Sequence, residues 1–438
     1  MTSVSFARRL ALLATLASTV WLASCGSSSG GGQTSIRGLN LTNDLASLDL
    51  YVGTSKEFGA LTTGTLSSYA TADANTYPIN VNSAGNSTTL FTGTYTLSKD
   101  AHYTAVVWGP QASLHVSTLP EDQDTTLIAS GNTRIRMFNA TTETGPVDVY
   151  VTAPGADLTA VTPTQGNLTS GTLAGFNEIA AGTYELRVTG VGRPDDIRLD
   201  IPAFTLSAGQ YQTLVITAGS GGVLVNAALV VQQGSVTLLN NTKSRVRLVA
   251  SVDSAGVIAA NVSNTLISAG LISPRVQGAY TLVDAGNVNL NWRVNNVPVL
   301  TGPQALTLSP GADYTLLMYG SAASPLLTVI TDDNRLPLST TRTKIRLVNG
   351  VASLDPLALS VDYGAVAASS YVVAGTAAAY TQIAADSAAQ IEVDSPSLGA
   401  VYLTTRTNGD NLLGQGVYSL FILSGRATPT GFLSNERP

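Results

Sequence analysis

Four segments of this 438-residue chain begin alike. They are Ser35-Ile36-Arg37-Gly38-Leu39-Asn40, Arg134-Ile135-Arg136-Met137-Phe138-Asn139, Arg245-Val246-Arg247-Leu248-Val249-Ala250 and Lys344-Ile345-Arg346-Leu347-Val348-Asn349. Ile36, Ile135, Val246 and Ile345 are 99, 111 and 99 residues apart. A period near 100 residues is too long for a solenoid repeat and suits a whole small domain repeated in tandem. Each opening leads to a second short apolar run, DLYV at 49, VDVYV at 147, IAANV at 258 and LALSVD at 357. Later runs are TYPINV, GTYELRV, NLNWRV and AQIEV. Short β-rich runs separated by turn residues, about 100 to a unit, predict an all-β chain of immunoglobulin-like, Greek-key sandwiches.

Composition agrees. Charged residues are 11 %, and β-forming Val and Thr outweigh Lys and Glu. The expected units are 34–123, 133–234, 244–334 and 343–438.

Each unit carries a leucine, a turn, a tyrosine and an apolar strand: LSKDAHYTAVVWG, LSAGQYQTLVITA, LSPGADYTLLMYG and LLGQGVYSLFILS. This predicts tyrosine corners, where the hydroxyl bonds back to backbone between strands. Tyr103, Tyr314 and Tyr418 follow their leucine by six residues, Tyr211 by five. The second unit should therefore depart from the others. The connecting segments hold apolar pairs, Leu127 and Ile128, Leu238 and Leu239, Leu336 and Leu338. Such pairs are expected to pack on the edge of an adjoining sandwich and to give a bent, semi-rigid rod.

The beginning of the chain speaks to location. Residues 1–9 end in Arg8 and Arg9, and LALLATLASTVWLAS follows at 10–24, too short to span a bilayer comfortably. This reads as an export signal over 1–24. Leu22-Ala23-Ser24-Cys25 then resembles the lipobox of bacterial lipoproteins, with the sole cysteine of the chain at its end. The resemblance implies diacylglycerol on the Cys25 thiol and cleavage before it. Two or three acyl chains, at about 0.8 kcal/mol per buried CH₂, would hold the protein on a membrane. Residues 25–33 are the lipidated cysteine and a Gly/Ser tether. Gly26, in place of an inner-membrane retention Asp, favours the outer membrane. The tether also spells G-x-S-x-G, but that hydrolase pattern needs a strained strand-to-helix turn, which a flexible linker does not offer.

The run from Ile135 to Gly234 resembles the bacterial domain-of-unknown-function family 4397, through IRMFNATTETGPVDVYV, AAGTYELRV, LSAGQYQTLVI and NAALVV. The other units share the opening and the tyrosine strand. That family occurs in tandem in secreted proteins and lipoproteins, which implies an immunoglobulin-like fold and carries over no catalytic residue.

Candidate chemistry is sparse. His102 sits in a turn and His115 alternates outward on a strand; both belong to the first unit. Carboxylates cluster at two unit ends, Glu121, Asp122 and Asp124, and Asp332 and Asp333. They are candidates for calcium between units, or are solvated loop residues. The four opening arginines alternate with Ile or Val and so face away from the core. They form either a ligand stripe or ion pairs with carboxylates such as Asp49 or Asp148. Trp108 and Trp292 are the only tryptophans beyond the signal, and Trp292 could be core or surface.

Net charge is −6 and becomes −8 without Arg8 and Arg9. With four lysines, the chain lacks the footprint of a nucleic-acid binder. No cofactor is implied. The expected function is a lipid-anchored envelope protein whose sandwiches bind, adhere or space, with an envelope protein or a glycan as ligand. The alternative is an envelope hydrolase with an unrecognised site.

Overall fold

The computed structural model describes residues 32–122, 124–299 and 302–437. Cys25, the signal and most of the tether lie outside them. The described chain is all-β, with three single-turn 3₁₀ segments as its only helical elements. Among the described residues, no helix is long and apolar enough to cross a membrane.

The first repeat sets the pattern. It runs β1 (Gln33–Asn40), β2 (Ser47–Val52), β3 (Ser55–Thr62), β4 (Ala70–Asp73), β5 (Asn75–Ser83), β6 (Thr89–Leu97), β7 (His102–Trp108) and β8 (His115–Pro120). One sheet has the order β4-β1-β7-β8 and the other β3-β2-β5-β6. Ile36, Ala105 and Val107 from the first meet Leu48, Leu50, Ile79 and Val81 from the second in one apolar cluster. This is a two-sheet sandwich of immunoglobulin size, but not with immunoglobulin strand order. Consecutive β1 and β2 lie on opposite sheets, and β1 runs parallel to β7. Equivalent sheet pairs enclose three further clusters, around Leu186, Leu290 and Ile391. Trp292 is core.

The parallel pairing recurs in register. Ile36 opposes Tyr103, Ile135 opposes Gln212, Val246 opposes Tyr314, and Ile345 opposes Tyr418. The tyrosine corners form where the six-residue spacing holds. The hydroxyls of Tyr103, Tyr314 and Tyr418 accept the backbone N–H of Ser98, Ser309 and Leu413 at 3.1, 2.9 and 3.0 Å. The residue three after each leucine has positive φ, glycine in two repeats and Asp100 or Gln415 in the others. In the second repeat Gln212 takes the corner slot, and the Tyr211 hydroxyl donates instead to Thr126 O in the connecting segment.

Tyr314→Phe should therefore destabilise the third repeat by about 1–3 kcal/mol, because the Ser309 N–H loses its acceptor. Tyr211→Phe should cost less, since its hydroxyl reaches an exposed link. Urea unfolding of the two variants measures both, and equal losses would contradict the assignment.

The linker pairs dock only in part: the Leu238 side chain approaches Gly64 of the first repeat and Leu336 approaches Gly145 of the second, while other members stay exposed. Leu127 is 92 % exposed, and Leu238 and Leu338 are 43 % and 48 % exposed. Leu239 does pack at the edge of the second core. The main contact between repeats is instead face to face. Leu39, Val106, Trp108 and Leu119 of the first repeat form one buried cluster with Phe138, Val215, Ala228 and Val230 of the second. Val249, Leu317 and Ile330 of the third do the same with Val348, Phe421 and Leu423 of the fourth. The outer face of each β1–β7 sheet is thus an inner face of a pair.

Candidate functional site

The third residue of each opening motif is an arginine, and alternation places it on that outer face beside Leu39, Phe138, Val249 or Val348. Being on the outer face does not make it solvent-exposed. Arg37, Arg136, Arg247 and Arg346 are between 1 % and 6 % exposed. Each donates through Nε to a hydroxyl on the parallel strand: Thr104 at 2.9 Å, Thr213 at 3.0 Å, Thr315 at 2.9 Å and Ser419 at 2.9 Å. Each guanidinium also lies against an aromatic ring, Tyr69, Phe176, Tyr280 or Tyr380, at 4.4–4.9 Å from the centroid. That ring belongs to the residue immediately before the fourth strand or its equivalent. A buried cation held by a hydroxyl and a π-face is a recurrent station of this fold.

The remaining donors reach into the paired repeat. Arg37 bonds Gly234 O and Val231 O at 2.5 and 2.9 Å, and Arg136 bonds Pro120 O at 2.7 Å. Arg247 bonds Glu436 at 2.7 Å, and Arg346 pairs with Asp332. The first and second repeats exchange arginines, as do the third and fourth, each receiving its partner's at or just after the end of the strand that pairs antiparallel with its tyrosine strand. The reciprocity is that of an isologous interface built within one chain.

The expected pairing with Asp49 and Asp148 is not observed. Asp49 accepts Lys56 Nζ at 2.7 Å and the Ala60 and Gly85 N–H groups; Asp148 accepts the Asn167 and Gly192 N–H groups. Both carboxylates are used to fold their own turns. Lys56, with the Ala60 N–H, holds the Asp49 carboxyl below its usual range.

The five carboxylates considered for calcium have other partners. Glu121 is buried against Arg37 at 3.0 Å, and it accepts the Tyr69 hydroxyl, the Thr104 hydroxyl and the Gln233 N–H. Asp122 accepts the His102 N–H and Gln233 Nε2, and lies 2.8 Å from His102 Nδ1. Asp124 pairs with Arg134. Asp332 takes Arg346, Thr315 and Tyr280, and Asp333 takes Arg335 and Lys344. Among the described residues, no three His, Cys, Asp or Glu side chains are grouped for a metal.

Arg136 is the exception to charge pairing. Its repeat supplies Phe176 where the others have tyrosine, and Gln232 stands at the position of Glu121, Asp332 and Glu436. With no carboxylate in bonding range, burial pushes the guanidinium down to about 10. At Arg247 and Arg346 burial acts the same way but is outweighed, by Glu436 at the first and by Tyr380 and Asp332 at the second, and both are raised.

His102 opens β7 rather than sitting in a turn, and its side chain stays partly exposed. His102 is tied to Asp122. Among the described residues no hydroxyl or thiol bonds its other ring nitrogen. His115 faces outward from its own sandwich, yet that face is the pair interface, where it stacks on Trp108 at 4.5 Å and 21°. Its Nε2 is buried without a partner, and burial pushes the imidazole below its ordinary value. The unfolded chain then binds this proton more readily than the folded one, so stability should fall as pH drops below about 6.5. His115→Gln should flatten that fall in thermal midpoints measured between pH 7.5 and 5.5. Parallel curves would contradict it.

An outward sheet face of the third repeat is open. In the third repeat, Asn261 and Asn291 oppose each other on neighbouring strands, with Arg293 beside Ala259. Together with Ser268, Leu266 and Pro298 they line a recess of about 520 Å³. Among the described residues Arg293 has no hydrogen-bond or ion-pair partner.

Fold and stations define a class: paired β-sandwich repeats docked through buried arginines, with a recessed polar face on the third. Residues 34–150 and 244–359 match the Domain of unknown function family DUF4397. These regions are more than half of the chain, which belongs to that family. They begin at the first and third repeats and run into the opening strands of the second and fourth, so the second repeat, expected from its motifs to show the resemblance best, is matched only as far as residue 150. No curated protein matches the chain.

Proposed function

We propose that this is a lipid-anchored protein of the bacterial cell envelope, at the outer membrane, whose docked β-sandwich repeats present a binding surface rather than an active centre. The anchor rests on Leu22-Ala23-Ser24-Cys25 and the tether behind it. Binding, as against bare spacing, rests on the recess of the third repeat. It is concave, and two amides flank an unpaired guanidinium there, groups that suit the hydroxyls of an envelope glycan or the backbone of an envelope protein. Rigid docking of the repeats supports the same role, since a fixed scaffold holds a recognition face in place.

Two arms test this. Cys25→Ser cannot form the thioether, so it should lose lipid labelling and leave the membrane fraction; normal labelling would overturn the anchor. The soluble form, residues 33–438, should retain an envelope glycan or protein that Asn291→Ala/Arg293→Ala does not retain. Equal retention by both forms, or none by either, would favour a spacer.

A further inference from the structure

A second concavity lies where the second, third and fourth repeats meet, and its chemistry differs from that of the recess. About 300 Å³ in volume, it is lined by Arg193, Arg198, Arg245 and Arg437 with the ring of Tyr280. These residues come from distant parts of the chain and converge only because the repeats dock. We propose that this junction is a binding site for a small oxyanion, a carboxylate or phosphate group, received by the guanidiniums of Arg198 and Arg437.

Four guanidiniums line one small space, and of the carboxylates around them all but the solvent-exposed Asp195 are already engaged. Asp196 is shared by Arg193 and Arg198, each at 2.9 Å. Asp313 takes Arg245 side-on at 2.8 and 2.6 Å. Glu436 lines the cavity but bonds Arg247 behind it. Asp195 is exposed.

Among the described residues, no carboxylate bonds Arg437. Its donors go to three backbone carbonyls, Gly222 O at 2.8 Å, Asn334 O at 2.9 Å and Thr144 O. Thr144 O also accepts Arg198 Nη1 at 3.1 Å, so two cations converge on one neutral oxygen. Three bonds also leave Arg437 two of its five N–H donors free. Like charges brought this close in a partly dry cavity call for an anion between them, and guanidinium forks match carboxylate and phosphate oxygens. Burial, together with Arg198 and Arg245, pushes the Arg437 guanidinium down to about 9, which an anion would reverse. The volume stands at the lower end of ligand pockets, which suits a compact ligand.

The site involves neither the lipid anchor nor the recess, and it stands or falls separately from them. Calorimetry on residues 33–438 with inorganic phosphate, sulfate and succinate, at matched ionic strength in chloride, tests it. Phosphate or succinate should bind saturably at one site per chain and raise the thermal midpoint beyond the chloride control. Arg437→Gln should weaken binding by roughly tenfold or more. If that variant fails to fold, Arg193→Gln, at the more exposed mouth of the cavity, should weaken it several-fold with the fold intact. No saturable binding of any of the three anions to the unmodified protein, or undiminished binding by the folded variant, would overturn the proposal.

Discussion

Replacing Glu436 with alanine is expected to destabilise the docked third and fourth repeats by roughly 3–5 kcal/mol, the cost of leaving a buried charge without its partner. Arg247 is 1 % exposed, and among the described residues Glu436 is the only carboxylate that bonds it; Thr315, Ser434 and the rings of Tyr280 and Phe421 also contact it. Neither the hydroxyls nor the rings can neutralise it. The loss should appear in urea unfolding, and replacing Arg247 with methionine in the Glu436→Ala background should restore much of it. A Glu436→Ala protein as stable as the parent would mean that the ion pair does not form.

A loss of similar size is expected at the first interface. Phe138 is 1 % exposed and meets Trp108 edge to face at 5.8 Å, in the cluster shared by the first two repeats. Phe138→Ala removes a ring that the interface cannot refill, which costs about 3–5 kcal/mol in a well-packed site. Because Phe138 points away from the core of its own sandwich, the loss should come with exposure of Trp108, read as a red shift and stronger quenching of its fluorescence. Loss of stability without any change at Trp108 would place Phe138 in a single-repeat core instead.

The sequence is legible for the sandwiches and much less so for their docking. Alternation at Ile36, Ile135, Val246 and Ile345 gives the inward face of each opening strand. The leucine-to-tyrosine spacing gives three corners and the departure at Tyr211. Arginine is read there as facing away from the core, in a ligand stripe or paired with a carboxylate such as Asp49 or Asp148. The signal against that reading stands two residues on: Leu39, Phe138, Val249 and Val348 share the arginine's face, and an apolar residue there needs cover. A matching Thr or Ser followed by an apolar residue, as in Thr104-Ala105-Val106 or Ser419-Leu420-Phe421, marks the same face on the parallel strand. Which repeat supplies the cover could not be read, since the contacts join residues nearly 200 positions apart, as Arg247 joins Glu436. The recess and the junction cavity depend on that docking and were equally hidden. The terminal asparagine of the opening motif is a smaller omission. Asn40 and Asn139 are fully buried and bond the backbone of Leu61 and Leu168, which ties the opening strand to the next sheet.

Docking of the repeats is the central claim, and native-state amide exchange on residues 33–438 tests it most directly. The N–H groups of Gly221, Gln233 and Leu336 find their acceptors in another repeat or across a junction, at Gly311 O, the Glu121 carboxylate and Glu143 O, at 2.8, 2.6 and 2.9 Å. They lie in links and turns that an isolated sandwich would leave open to water. Docked repeats predict that all three exchange far more slowly than free peptide, and that the Gln233 amide is released in a Glu121→Gln variant while strand amides such as that of Val215 remain protected. Exchange of all three at free-peptide rates, with the strands still protected, would describe independent sandwiches on a string and would contradict the account.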